Sequence, residues 1–229
     1  MAISNIKLLF SLLVICLITG QAFAQNSFAS LGESDFSIEY EFSDFYSIDL
    51  TIEPRYEIYE DDEFAIANQH IDVELFQSYR ISKKYSVDLG IQYRFREEFG
   101  ASTDEFRLTE QFNITKKFLA FRFGHRFRLE QRFFEKSTEI RSRYRFGLDF
   151  PLNGEELDVG EAYFATSSEF LYSVGNDTKP ELDNRTGAHI GWQLSESLNF
   201  QVGLQYRFVT FNIATEHQLY FLSSVEIRL

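Results

Sequence analysis

The chain has 229 residues, a formal net charge of −13, 17% aromatic residues and one cysteine. Such a charge argues against a nucleic-acid partner, whose phosphates need a basic surface. Twenty-six phenylalanines and twelve tyrosines exceed what an ordinary soluble core of this size requires.

Residues 1–24 read as a cleavable signal peptide, with Lys7 supplying positive charge, Leu8 to Ile18 forming the apolar stretch and Ala22-Phe23-Ala24 the cleavage site. The apolar stretch is too short to span a bilayer. Ile15 is bulky where lipidation at Cys16 would need a small residue, so a lipoprotein is the weaker alternative. Without Cys16 the mature chain has no thiol for a disulfide, a thiolate zinc site or a nucleophile. A short N-terminal segment, 25–34, then leads into a barrel domain, 35–229.

Strands are expected at 35–42, 46–59, 70–79, 85–97, 104–114, 118–131, 138–150, 160–172, 182–194, 198–209 and 216–229. The clearest places Tyr85, Val87, Leu89, Ile91, Tyr93 and Phe95 on one face and Ser86, Asp88, Gly90, Gln92, Arg94 and Arg96 on the other. Pro54 cannot donate to a ladder, which predicts a bulge or weak pairing there. No apolar run approaching 18 residues follows the leader, so only strands could cross a bilayer. A small soluble barrel has too little interior for five or six large residues from each of ten strands, whereas a lipid-facing exterior has ample room. The expected fold is therefore all-β: an antiparallel, up-and-down transmembrane barrel of 10 to 12 strands in the outer membrane of a Gram-negative bacterium.

Single-chain bacterial barrels close with even counts, which predicts ten strands if the first segment lies outside, or twelve if one is hidden. The turns at 82–84, 115–117, 151–158 and 195–197 are assigned to the periplasm, and those at 60–68, 98–103 and 173–180 to the exterior. The last strand then ends in the periplasm. Its Leu219, Phe221, Val225, Ile227 and Leu229 form the terminal pattern by which barrel-assembly machinery recognises its clients, with Leu229 where Phe is usual. Outer-membrane lipid is the other expected partner.

Strand parity turns a segregated set of charges into the lumen. Arg94, Arg96, Arg122, Arg126, Arg128, Arg141, Arg143 and Arg145 form a basic track, opposed by Glu39, Glu41, Asp49, Glu53, Glu57, Asp72, Glu74 and Asp88. Two readings stay open: a salt-bridge lattice spanning the lumen, or a water-filled path for small anionic solutes. Inward Gly90, Gly124, Gly147, Gly187, Gly191 and Gly203 make space, which side chains (inward Tyr59, Phe76, Tyr163 and Tyr220 among them) or water could fill.

An enzymatic alternative rests on the lipid-facing wall, where His125 and Ser142 could serve an outer-membrane lipid hydrolase, with Glu110 the only outward acid nearby. His70 and His189 are expected in the lumen and His217 at the outer rim. No metal motif and no cofactor are expected.

The segments His125-Arg126-Phe127-Arg128-Leu129-Glu130-Gln131-Arg132-Phe133 and Arg141-Ser142-Arg143-Tyr144-Arg145-Phe146-Gly147-Leu148 resemble the outer-membrane barrels catalogued as domain of unknown function 2490 (DUF2490), typical of Bacteroidetes. That resemblance implies the barrel fold and the outer membrane, and carries no catalytic residues.

Overall fold

A computed structural model describes residues 28–60, 63–100, 102–176 and 178–229. The segment assigned to the signal peptide lies outside them. Eleven strands follow in order: β1 (Phe28–Ser43), β2 (Tyr46–Glu60), β3 (Glu63–Ser82), β4 (Tyr85–Phe95), β5 (Glu105–Phe118), β6 (Phe121–Phe133), β7 (Thr138–Pro151), β8 (Ala162–Gly175), β9 (Glu181–Gln193), β10 (Leu198–Val209) and β11 (Glu216–Arg228). Each pairs with its sequence neighbours, and β1 pairs with β11 to close the barrel. No helix among the described residues is long and apolar enough to cross a membrane.

The count falls within the expected range but is odd, so neither ten nor twelve is right. The first segment belongs to the wall, and β1 and β11 run parallel, from Phe28 opposite His217 to Glu39 opposite Arg228. A parallel seam satisfies both edges without a twelfth strand.

β1 also begins at Phe28 rather than Asp35, taking most of the segment expected to precede the barrel. Its outward positions there are Ser30, Gly32 and Ser34, too small to show an apolar alternation. Neighbours cover them instead: the Tyr56 ring lies over Gly32, and the Ser34 and Ser223 hydroxyls are 2.9 Å apart.

Burial follows parity in the inverted sense. Along β4, Asp88, Gly90, Gln92 and Arg94 are buried while Val87, Leu89, Ile91, Tyr93 and Phe95 are exposed. The interior is accordingly polar: Leu31, Tyr163, Leu171 and Tyr220 are the buried hydrophobic residues among those described. Rings pair along the outer wall, as Phe121 with Phe150 and Phe150 with Phe164.

Irregularity concentrates in β1–β3. Pro54 keeps register with Ile71, and the break comes one step later, between Arg55 and Tyr56. On the β1 side, Leu31 faces Glu57 but Ser30 faces Tyr59, which leaves Ile58 as an extra residue. That bulge turns Tyr59 away from the lumen it was expected to enter, to meet the exposed rings of Phe28 and Phe64.

Beyond β4, a single 3-10 turn, Glu97–Phe99, ends at Gly100, whose φ of 71° is the left-handed conformation glycine tolerates. Asp104 fastens this loop, accepting the backbone N–H groups of Arg96 (2.7 Å) and Glu97 (3.1 Å) and the Tyr93 hydroxyl (2.9 Å). The two backbone bonds hold its carboxyl below the usual range.

Candidate functional site

The lumen divides into two halves. Toward the end where β1 starts, arginines and carboxylates form a lattice. The Glu105 carboxylate is fully buried and accepts Arg107 (3.0 and 2.7 Å) and Arg132 (2.6 and 2.8 Å), with Arg96 at 3.4 Å. Equally buried Glu130 accepts Arg143 at 2.6 Å, with Arg128 at 3.6 Å and Arg107 at 3.8 Å. Arg143 continues to Glu169 at 2.7 Å, and Glu139 joins Arg132 at 2.6 Å to Arg141 at 3.2 Å. Arg94 is bidentate on Asp72, at 2.6 and 2.5 Å. Glu33 receives Arg55 and, across β11, Arg207 at 3.2 Å, while the Arg207 guanidinium sits 3.4 Å from the Tyr220 ring centre.

These bonds run mainly from a strand to its neighbour, around the wall. Among the described residues, no ion pair joins the acidic early strands to the basic central strands across the lumen, because neighbouring strands hold compatible carboxylates at bonding distance. Desolvated ions are tolerated only when partnered, and planar guanidinium forks satisfy two carboxylate oxygens at once.

Toward the opposite end lies a cavity of about 870 Å³ reaching the rim at Ser43, Phe45 and Arg80. The basic track splits between the halves: Arg94, Arg96, Arg141 and Arg143 join the lattice, Arg122, Arg126 and Arg145 line the cavity, and Arg128 stands at the boundary, lining the cavity while 3.6 Å from Glu130. Arg96 stands just past the end of β4 rather than within it. The acids split likewise. Glu53 and Asp72 sit in the lattice, Glu39, Asp49, Glu74 and Asp88 line the cavity, Glu41 meets Arg80 at the rim (3.5 Å), and Glu57 accepts Gln69 (2.7 Å).

Within the cavity Arg122 binds Asp149 at 2.9 Å and Arg128 donates to Gln111 at 2.7 Å. Arg126 and Arg145 face each other in register across β6 and β7 and have neither an ion pair nor a side-chain hydrogen bond among the described residues. Arg185 also lacks an ion pair, but it stands outside the cavity lining, with its Nε buried and unbonded. Next to the arginine pair, Gly124 and Gly147 also face each other, and a Cβ on Gly124 would meet nothing within 4 Å. Elsewhere glycine space is taken: the Phe76, Tyr163 and His189 rings lie over Gly90, Gly191 and Gly203.

Sequence reasoning missed Glu33 as a lumen residue, since its strand was set to begin at 35, and left out Asp35 at that strand's first position. The strand expected to begin at 160 begins at Ala162, so Glu161 lies in the preceding loop, where it accepts Asn153 at 2.8 Å. His70 and His189 do face inward, but His70 Nε2 is buried without a partner. No metal motif was legible, yet pairing places possible ligand atoms of Glu53, His70 and Asp72 within 4.8 Å of one another. Arg55 and Arg94 already occupy those carboxylates.

The hydrolase pair is not assembled. His125 lies opposite Phe146 and Ser142 opposite Leu129, four residues apart along β7. His125 Nδ1 instead lies 2.9 Å from the Tyr144 hydroxyl, so the outward imidazole is satisfied by a neighbouring ring. His217 is similarly placed 2.9 Å from the Tyr206 hydroxyl.

A family model described as "Protein of unknown function (DUF2490)" matches residues 34–218. No curated protein matches the chain. Among solved structures, the siderophore receptor PirA from Pseudomonas aeruginosa aligns at 13% identity and a TM-score of 0.34, over 79% of this chain and 35% of the receptor. The chain thus spans about a third of that receptor's length. The family match covers most of the barrel, including both central strands: the chain belongs to the DUF2490 family, whose function is unknown.

Proposed function

We propose that this is an integral outer-membrane barrel, not an enzyme, whose lumen is closed by the arginine–carboxylate lattice and whose open half receives small anionic solutes. The observation that carries the reading is the inverted burial along the strands, with Asp88 and Arg94 enclosed and Leu89 and Ile91 exposed. An apolar wall around a closed barrel suits acyl chains, since the closed ring of strands leaves no sheet edge to meet lipid. The short turns at Asp44-Phe45 and Lys83-Lys84 share the end at which β11 finishes, which supports placing that end, and the cavity mouth, in the periplasm. Outward Leu219, Phe221, Val225 and Ile227 on β11 support recognition by barrel-assembly machinery.

A second reading, a narrow anion-preferring pore, draws support from Arg126 and Arg145, because cations outside any ion pair favour anion entry. Planar-bilayer recording separates the two. The protein should partition into membranes, resist alkaline extraction and show no steady conductance at any voltage. Steady anion-selective current would replace the closed reading with the pore. Recovery as a soluble protein without detergent would overturn both.

A further inference from the structure

The charges of the lattice described above all have ion-pair partners, whereas several in the cavity do not. Asp35, Asp49, Glu74 and Asp88, one from each of β1 to β4, line it without an ion pair among the described residues, and Arg126 and Arg145 do the same from β6 and β7. One Asp35 oxygen and one Asp88 oxygen are buried and without any hydrogen bond. The unpaired charges of the two signs therefore stand on separate walls of one cavity.

Like charges directly opposite across a strand pair repel, so the Arg126–Arg145 pair gains by receiving an anionic group. Gly124 and Gly147 leave the room for it. A plain anion, however, would bring its charge into the field of four unpaired carboxylates. A solute with an ammonium group at its other end places each charge on the wall of opposite sign.

We propose that the cavity is a binding site for small soluble zwitterions, with a carboxylate or phosphate group on Arg126 and Arg145 and an ammonium group on the wall formed by Asp35, Asp49, Glu74 and Asp88. This rests on the anion-receiving reading above and narrows it to solutes of both signs. The separation fixes a preferred length, because both ends must reach their walls together.

Equilibrium dialysis against the detergent-purified barrel tests this with ω-amino acids from β-alanine to 8-aminooctanoate, each beside the dicarboxylate and the diamine of equal length. One ω-amino acid should bind about tenfold more tightly than either counterpart, a difference equivalent to about 1.4 kcal/mol. Arg126→Gln with Arg145→Gln should reduce its affinity about tenfold, as should Asp49→Asn with Glu74→Gln, and added salt should weaken it. Equal or tighter binding of the dicarboxylate overturns the inference and leaves the anion site standing. Preference for the diamine, or no binding of any compound, removes both. Because the comparison of solutes uses the unaltered protein, it decides the matter even if a variant fails to fold.

Discussion

The two halves of the lumen are built from the same residue types and differ only in how those residues are partnered. In the lattice, Glu105 and Glu130 are each surrounded by several guanidinium groups and sealed from solvent. In the cavity, Arg126 and Arg145 face open space beside two glycines. Arginine on an inward strand position thus has no fixed role. Where a carboxylate on the next strand is free to accept it, it fastens the wall; Arg145 lies in register with Glu169, but Arg143 occupies that carboxylate and Arg145 stays available.

The sharpest way to break this contrast is to remove one charge from each half. Glu130→Gln leaves Arg143, Arg128 and Arg107 short of an anion in a desolvated site, and should cost about 3–5 kcal/mol in urea unfolding of the detergent-solubilised barrel. Arg126→Gln relieves repulsion from Arg145 and should be neutral or stabilising by about 0.2–1 kcal/mol. Equal losses from the two would mean that the halves are energetically alike. Glycines sharpen the comparison at smaller scale. Gly191→Val must displace the Tyr163 ring and should cost about 1–3 kcal/mol, whereas Gly124→Val projects into open space and should stay within about 0.5 kcal/mol.

The smallest effect concerns the loop above the lattice. The folded carboxyl of Asp104 titrates below its unfolded value, so its stabilising bonds are present above the unfolded pKa and lost as pH falls through the folded one. Amide exchange of the turn at Glu97–Phe99 should therefore accelerate on acidification below the ordinary carboxylate range. Asp104→Asn should remove that acid limb, and an unchanged profile in the variant would assign it to another group.

Much of the barrel was legible because alternation over β4 to β11 is long and undisturbed; the bounds of β10 agree at both ends, 198 and 209. What failed did so where one face lost its contrast. Ser30, Gly32 and Ser34 conceal the start of β1, because their covering comes from Tyr56 and Ser223, far away in sequence. Tyr59 was misassigned because a bulge inserts one residue and shifts every later side chain to the other face, which no local pattern announces. At the site, parity identified the inward charges but not their partners. Register decides those, placing Arg126 against Arg145 and separating His125 from Ser142.

The parallel seam has a consequence for how the molecule is completed. Every other strand pair can arise from a hairpin, but Ser34 and Ser223 are 189 positions apart and their strands run the same way. This contact can form only after the whole intervening meander has curled round, although loop-closure entropy rises only slowly with loop length. The final ring closure, rather than any hairpin, is where an unfinished wall would stay open.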